Sequence, residues 1–166
     1  IALDGEVIGV VAVADRLRTD ASEMIARLHA RGVKKVVMLT GDDERVARAV
    51  AAEVGVDEVR AQLLPEDKLD AVRALQAEGH TVAMVGDGVN DAPALATADI
   101  GVAMGAAGTG VAIETADIAL MKDDLLKLPE AVGLARRTVR VMHQNIAIAV
   151  LTVAALLAGV FAGGVT

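Results

Sequence analysis

The sequence predicts an α/β fold, a parallel sheet with helices on both faces, followed by a C-terminal transmembrane helix. The first part rests on short apolar, β-branched runs that alternate with helical segments, and on the caps and glycine stops that separate them. The second rests on the end of the chain, where no residue from Gln144 to Thr166 is charged. Strands joined through helices form right-handed crossovers, so neighbouring strands run parallel.

The elements follow in order. Val7 to Ala14 is almost continuously apolar and reads as a buried strand; Thr19-Asp20 then offers a cap for a helix over Ala21 to Ala30. Lys35 to Leu39 reads as a strand, Asp43 to Val54 as a helix, and Glu58 to Arg60 as a short strand. Pro65 suits the first turn of a helix running to Glu78, with Gly79 in the stop position. Thr81 to Val85 is the next strand, and it runs into a glycine loop. A short helix at Ala92 to Ala96, a strand at Ile100 to Ala103, a glycine-rich turn through Gly110 and a strand at Ile118 to Leu120 complete the series. No internal repeat is evident.

A final helix is expected to begin after Pro129 and to carry Arg136, Arg137 and Arg140. Ile146 to Val165, apolar or glycine except for Thr152, is long enough as a helix to cross roughly 30 Å of hydrocarbon. The arginines before it belong on the cytoplasmic side, which makes residues 1–143 cytoplasmic and the chain part of a cell-membrane protein. The plain alternative is a buried core helix, or else the hydrophobic tail of a truncated soluble domain.

Composition excludes some functions. A formal charge of −7, from 23 acidic and 16 basic residues, opposes a general nucleic-acid binder, and one Phe with no Trp or Tyr leaves no stacking platform. With no cysteine the chain forms no disulfide and offers no thiolate to a soft metal. His29, His80 and His143 lack metal-ligand spacing and read as surface or capping residues, and the scattered methionines read as core fillers. The start at Ile1, in strand-like sequence without an initiator Met or a signal peptide, reads as a cut.

In open parallel sheets ligands sit beyond the carboxyl ends of the strands, which directs attention to the loops after Leu39 and Val85. In the second loop Gly86-Asp87-Gly88-Val89-Asn90-Asp91 brings two carboxylates into one turn. Hard oxygen ligands of this kind suit Mg²⁺, which completes its shell with water and phosphate, and Gly86 and Gly88 allow a ligand to approach the backbone. In the first loop Thr40-Gly41-Asp42 supplies a hydroxyl and backbone N–H groups for phosphoryl oxygens near a helix start. Lys68, one turn into its helix, offers a cation for phosphate. Taken singly these are a helix-capping turn, a strand-to-helix turn and a solvated lysine. Their combination points to phosphoryl transfer.

Met84-Val-Gly-Asp-Gly-Val-Asn-Asp-Ala-Pro-Ala-Leu95 resembles the long signature of P-type ATPases. Met38-Leu-Thr-Gly-Asp42 and Pro65-Glu-Asp-Lys68 precede it at suitable distances, and Ala98-Asp-Ile-Gly-Val-Ala-Met-Gly105 continues it. Ala14-Asp15-Arg16-Leu17-Arg18 resembles the hinge that joins the nucleotide domain to the phosphorylation domain. The resemblance covers nearly the whole chain. It implies a haloacid-dehalogenase-like Rossmannoid sheet, with residues 1–14 the end of the nucleotide-binding domain and hinge strand, 15–128 an incomplete phosphorylation domain, and 129–166 a connecting and transmembrane helix. It further implies Mg²⁺ on Asp87 and Asp91, with Asn90 orienting the outer shell. Thr40 and Gly41, with Asp42 beside them, would meet the transferred phosphoryl, Lys68 would offset its charge, and Asp15 and Arg18 would act near ATP, with Gly86 and Gly88 lining the site. The implied partners are ATP, a transported metal cation and a lipid membrane.

The family's phosphorylated aspartate lies in an Asp-Lys-Thr-Gly-Thr segment that does not occur in this chain, so the resemblance implies a fragment inactive by itself. The apolar segment opening with His143-Gln144-Asn145 resembles the heavy-metal-transporting class. Copper exporters carry a Tyr-Asn pair where this chain has Thr152-Val153, and zinc and cadmium exporters tend to carry a Lys where it has Val153, so the ion is left open. Two further readings compete: a soluble haloacid-dehalogenase-like phosphatase, and a non-enzymatic magnesium-binding fragment.

Overall fold

The computed structural model describes residues 2–3, 6–7, 17–86, 90–105, 115–122 and 124–163. A two-residue hairpin, β1 (Ala2–Leu3) and β2 (Glu6–Val7), pairs antiparallel at the start. Most of the strand expected over Val7 to Ala14 lies outside the described residues.

The α/β part then unfolds in the expected order: α1 (Ala21–Ala30), β3 (Val37–Leu39), α2 (Glu44–Val54), β4 (Glu58–Arg60), α3 (Pro65–Ala77), β5 (Ala83–Gly86), α4 (Ala92–Thr97), β6 (Ile100–Met104) and β7 (Ile118–Leu120). Local chemistry explains the boundaries. Asp43 caps α2 by accepting the Arg45 N–H at 2.9 Å, and Gly55 ends that helix at φ +83°. Pro65 opens α3, and the Leu64 N–H is taken by the Asp67 carboxylate at 2.8 Å. Asp20 stands at the N-cap position of α1 but does not cap it. Its carboxylate accepts from the Leu125 N–H (3.3 Å) and from Arg18 (3.3 Å), tying the start of α1 to the segment before the last helix.

All strand pairs after the hairpin are parallel, in two ladders: β3 with β4, and β5-β6-β7. Each pair starts with the same device. Asp57 accepts from the Val36 N–H (2.7 Å), Asp99 from the Val82 N–H (2.8 Å) and Asp117 from the Gly101 N–H (2.8 Å). In every case the aspartate is the residue just before a strand, or its first opposite position, and it holds the residue facing it across the ladder. Among the described residues β3 and β5 each keep one edge without a strand partner.

The core gathers where α3 and α4 cross the β5 ladder. Val72, Met84, Ala94 and Leu95 are buried together, with Leu39, Val82 and Ala98 packed against them. Of the methionines read as core fillers, Met84 is buried, whereas Met121 and Met142 are exposed. His29, at the end of α1, meets the Val33 carbonyl and Asp57, as a capping residue does.

The chain closes with α5 (Lys127–Ala162), 36 residues in one unbroken helix. It starts three residues earlier than a helix beginning after Pro129 would, because Pro129 fits inside the first turn, where its missing N–H has no partner to lose. Leu128 and Pro129 are buried, and beyond Gly133 the helix is exposed, with Arg136 reaching back to Gly32. It is long and apolar enough to cross a membrane, with none of its most apolar stretch buried, unlike the core helix of the plain alternative.

Candidate active site

The candidate residues sit at the carboxyl ends of the parallel strands. Thr40 follows β3, Gly86 ends β5, and Asn90 and Asp91 lead into α4, with Asp91 at its N-cap position. Lys68 comes from the first turn of α3. Its Nζ donates to the Asp91 Oδ1 at 2.7 Å, and both side chains are largely sheltered, 18% and 14% exposed. A contact 23 residues apart in sequence therefore anchors the site.

Two further features hold it in place. On the far side of the pair, Gln76 on α3 donates to the Thr97 carbonyl at the end of α4 (3.0 Å), so α3 and α4 are tied at both ends. Sequence reading missed Gln76, since nothing in its local string marks it. Gly86 lies against Asp91: a Cβ there would come within 2.8 Å of the Asp91 Oδ2 and 2.9 Å of its Cβ. The glycine is thus required by the neighbouring carboxylate.

The first loop is built around Thr40. Its hydroxyl donates to the Asp42 Oδ2 (2.8 Å) and accepts from the Asp42 N–H (3.1 Å), its N–H donates to the Arg60 carbonyl, and its carbonyl accepts from the Leu63 N–H. Gln62, in the left-handed region at φ +57°, donates its N–H to the Asp42 carbonyl. These bonds join the loop after β3 to the segment entering α3, so Thr40, Gly41 and Lys68 belong to one connected edge. The Thr40 hydroxyl is engaged within its own turn and must rotate to meet a ligand. Asp42 is exposed and serves here as the partner of Thr40.

Asp87 and Gly88, central to the expected magnesium loop, and Asp15 of the hinge lie outside the described residues. Arg18 is described and exposed, and it pairs with Asp20. Among the described residues no three carboxylates or histidines converge on one point. Mg²⁺ takes one or two carboxylates and fills the rest of its shell with water and phosphate. The donor set present fits: the Asp91 Oδ1 is held by Lys68, leaving Oδ2 turned toward Gly86. An open groove of about 510 Å³, lined by residues including Leu120, Met121, Lys127 and Leu134, lies elsewhere, against the start of α5.

A sheet of parallel strands with a lysine–aspartate pair at its carboxyl edge defines a class, and residues 1–99 match the family model of the haloacid dehalogenase-like hydrolases. The chain belongs to that family. Within it, the sequence is 52% identical over 162 residues to the manganese-exporting P-type ATPase of Mycobacterium leprae, covering 98% of this chain and 22% of that protein. It is 53% identical over 150 residues to a probable cadmium-transporting ATPase of Staphylococcus aureus, covering 90% of this chain and 19% of that one. The crystal structure of a zinc-transporting PIB-type ATPase in the E2.Pi state superposes with a TM-score of 0.85 at 48% identity, over 96% of this chain and 26% of that one. The chain spans about a fifth of the length of the curated relatives it matches. These relatives are metal transporters, which disfavours the soluble phosphatase reading.

Proposed function

We propose that the chain is the magnesium-and-phosphate half of the phosphorylation site of a heavy-metal-exporting P-type ATPase, together with the membrane helix that follows it. The observation that carries this reading is the sheltered Lys68–Asp91 pair at the carboxyl end of β5, reached by the Thr40 loop along the same edge. Residues 15–128 then form most of the phosphorylation domain, and 129–166 lead into and through the membrane, with residues 1–143 on the cytoplasmic side. The relatives named above export or transport manganese, cadmium and zinc, and the cargo here is a transition-metal cation of the same broad class.

In this reading Asp87 and Asp91 would hold Mg²⁺, whose contribution there would be positive charge to offset that of the phosphate. Lys68 places a positive charge beside the same carboxylate, and the Thr40 and Gly41 backbone and hydroxyl orient the transferred group. Asn90, exposed in the turn, positions the outer shell. Asp15 and Arg18 contribute at the hinge, near ATP.

The acceptor aspartate comes from a preceding Asp-Lys-Thr-Gly-Thr strand of the longer polypeptide. Among the described residues β3 and β5 each keep an unpaired edge, which supports this, since both strands contribute to one core through Leu39 and Met84 and a parallel strand between them would join the two ladders. The 166-residue chain alone should form no phosphoenzyme from ATP. In the full-length protein, Asp87→Ala should abolish Mg²⁺-dependent phosphoenzyme formation and Lys68→Ala should lower it by about 10²-fold or more, as loss of a charge-stabilising group does. Normal phosphoenzyme in Asp87→Ala would overturn the assignment.

A further inference from the structure

The carboxyl end of α1 meshes with the first turns of α5 through two reciprocal notches. Arg136 reaches back to donate to the Gly32 carbonyl at 3.3 Å, and its guanidinium occupies the space a side chain on Gly32 would need. In the other direction the Arg31 guanidinium fills the space left by Gly133 on α5, where any Cβ would overlap it. Residues about a hundred positions apart in sequence are thereby brought to one side of α5. At 100° per residue, Gly133, Arg136, Arg137 and Arg140 fall within about 60° of one another's mean direction, so Arg137 and Arg140 continue the face that α1 touches.

This face carries a net positive charge, with Glu130 the acidic group that Arg31 interacts with. Arg31, Arg137 and Arg140 form no ion pair among the described residues, and the bond to the Gly32 carbonyl uses one of the five donors of Arg136. The neighbouring charges are already engaged: Glu130 with Lys127 at 2.7 Å, and Arg27 with Glu23 at 2.6 Å. Arg27 and Arg31 also help hold the Glu130 carboxyl below its ordinary range, after Lys127. A concentrated basic spot on a chain of net charge −7 calls for an anionic partner.

Position selects that partner. The uncharged run begins at Gln144, so Arg140 lies about 6 Å and Arg136 about 12 Å before it along the helix axis. A headgroup layer roughly 5–8 Å deep flanks the hydrocarbon on each side. Because all three helix arginines share the backward tilt of the Cα–Cβ bond, reaching that layer depends on their long stems, Arg140 first. Guanidinium forks match phosphate oxygens two at a time.

We propose that Arg31, Arg136, Arg137 and Arg140 form a composite site for the phosphate of an anionic phospholipid headgroup, fastening the α/β domain to the membrane surface beside α5. The proposal rests on the membrane reading of α5. It is tested by reconstituting the full chain in phosphatidylcholine vesicles with spin-labelled phosphatidylglycerol or spin-labelled phosphatidylcholine as probe, and comparing the motionally restricted fractions. Wild type should favour phosphatidylglycerol severalfold at low salt. Arg31→Gln and Arg140→Gln should each lower that preference, by up to about fivefold, while Arg31→Lys retains most of it. Arg140 makes no hydrogen bond or ion pair with the described residues of the α/β part, so its substitution reads the site even if Arg31→Gln disturbs packing. An unchanged preference in Arg140→Gln, or its loss when inorganic phosphate replaces chloride at equal ionic strength, overturns the proposal. A carbonate wash separates the two readings: a chain that stays embedded without a lipid preference defeats the headgroup site alone, whereas a chain that washes off defeats the membrane reading as well.

Discussion

At the scale of single residues, the Lys68–Asp91 bond is sheltered enough to matter for stability and exposed enough to be reached by a ligand. A charge-assisted hydrogen bond of this kind contributes about 1.5–3 kcal/mol, and removing one partner strands the other in a half-dry position. Lys68→Met should therefore destabilise the chain by about 1–3 kcal/mol, and Lys68→Met with Asp91→Asn should cost less than the sum of the singles, with a coupling of about 1–2 kcal/mol. Thermal unfolding followed by circular dichroism in detergent measures both. Gly86→Ala acts through the same carboxylate, since the new Cβ must displace Asp91 from Lys68. Phosphoenzyme formation by the full-length protein and its melting temperature should therefore both fall, and a melting temperature equal to that of wild type would contradict this geometry. The identities of Lys68, Gly86 and Asp91 are legible in the string because charge and glycine patterns are local. Their contact is not, because it depends on α3 and α4 lying side by side, which Gln76, Val72 and Leu95 arrange from a distance.

At the scale of elements, the starts of the parallel strands are set by aspartates. Asp117 accepts from the N–H of Gly101, a buried residue, so Asp117→Ala should leave that donor unpaired and cost about 1–3 kcal/mol. Asp99 makes the equivalent contact, and the Val82 N–H, with the Gln76 amide second, holds its carboxyl below the ordinary aspartate range. The folded-state pKa is depressed, so the contribution is present above the ordinary aspartate pKa, about 3.9, and is lost as pH falls through the lower folded value. Hydrogen exchange of the Val82 amide, corrected for its intrinsic rate, should show protection that is flat from pH 6 to about pH 4 and declines below it. Asp99→Asn should remove that decline. The strand and helix runs were readable from apolar periodicity and stops, with boundaries shifted by one or two residues. The ladder partners were not, since a three-residue strand carries too little pattern to specify its neighbour; the aspartates just before β4, β6 and β7 are the local sign that was overlooked.

At the scale of the whole molecule, β3 and β5 each keep an edge without a strand partner among the described residues, and α5 stands with its apolar length exposed. The apolar residues of α5 occur all round the helix instead of on one stripe, as a bilayer requires and a soluble surface does not. Sequence made this legible because a run without charge needs no partner to be recognised, whereas the mesh of Arg31 with Gly133 was hidden by the separation of the two segments. Leu156, 66% exposed, stands near the middle of the uncharged run. Leu156→Arg places a charge near the bilayer centre and should oppose insertion by about 2.5–3.5 kcal/mol. An exposed arginine on a solvated helix carries no such penalty, so folding of the α/β part should be unaffected in either environment. After expression in membranes, wild type should resist carbonate extraction and Leu156→Arg should shift toward the soluble fraction, while Leu156→Val stays embedded. Equal retention of all three would mean that neighbouring helices of a longer protein, and not the apolarity of α5 itself, hold this segment in the membrane.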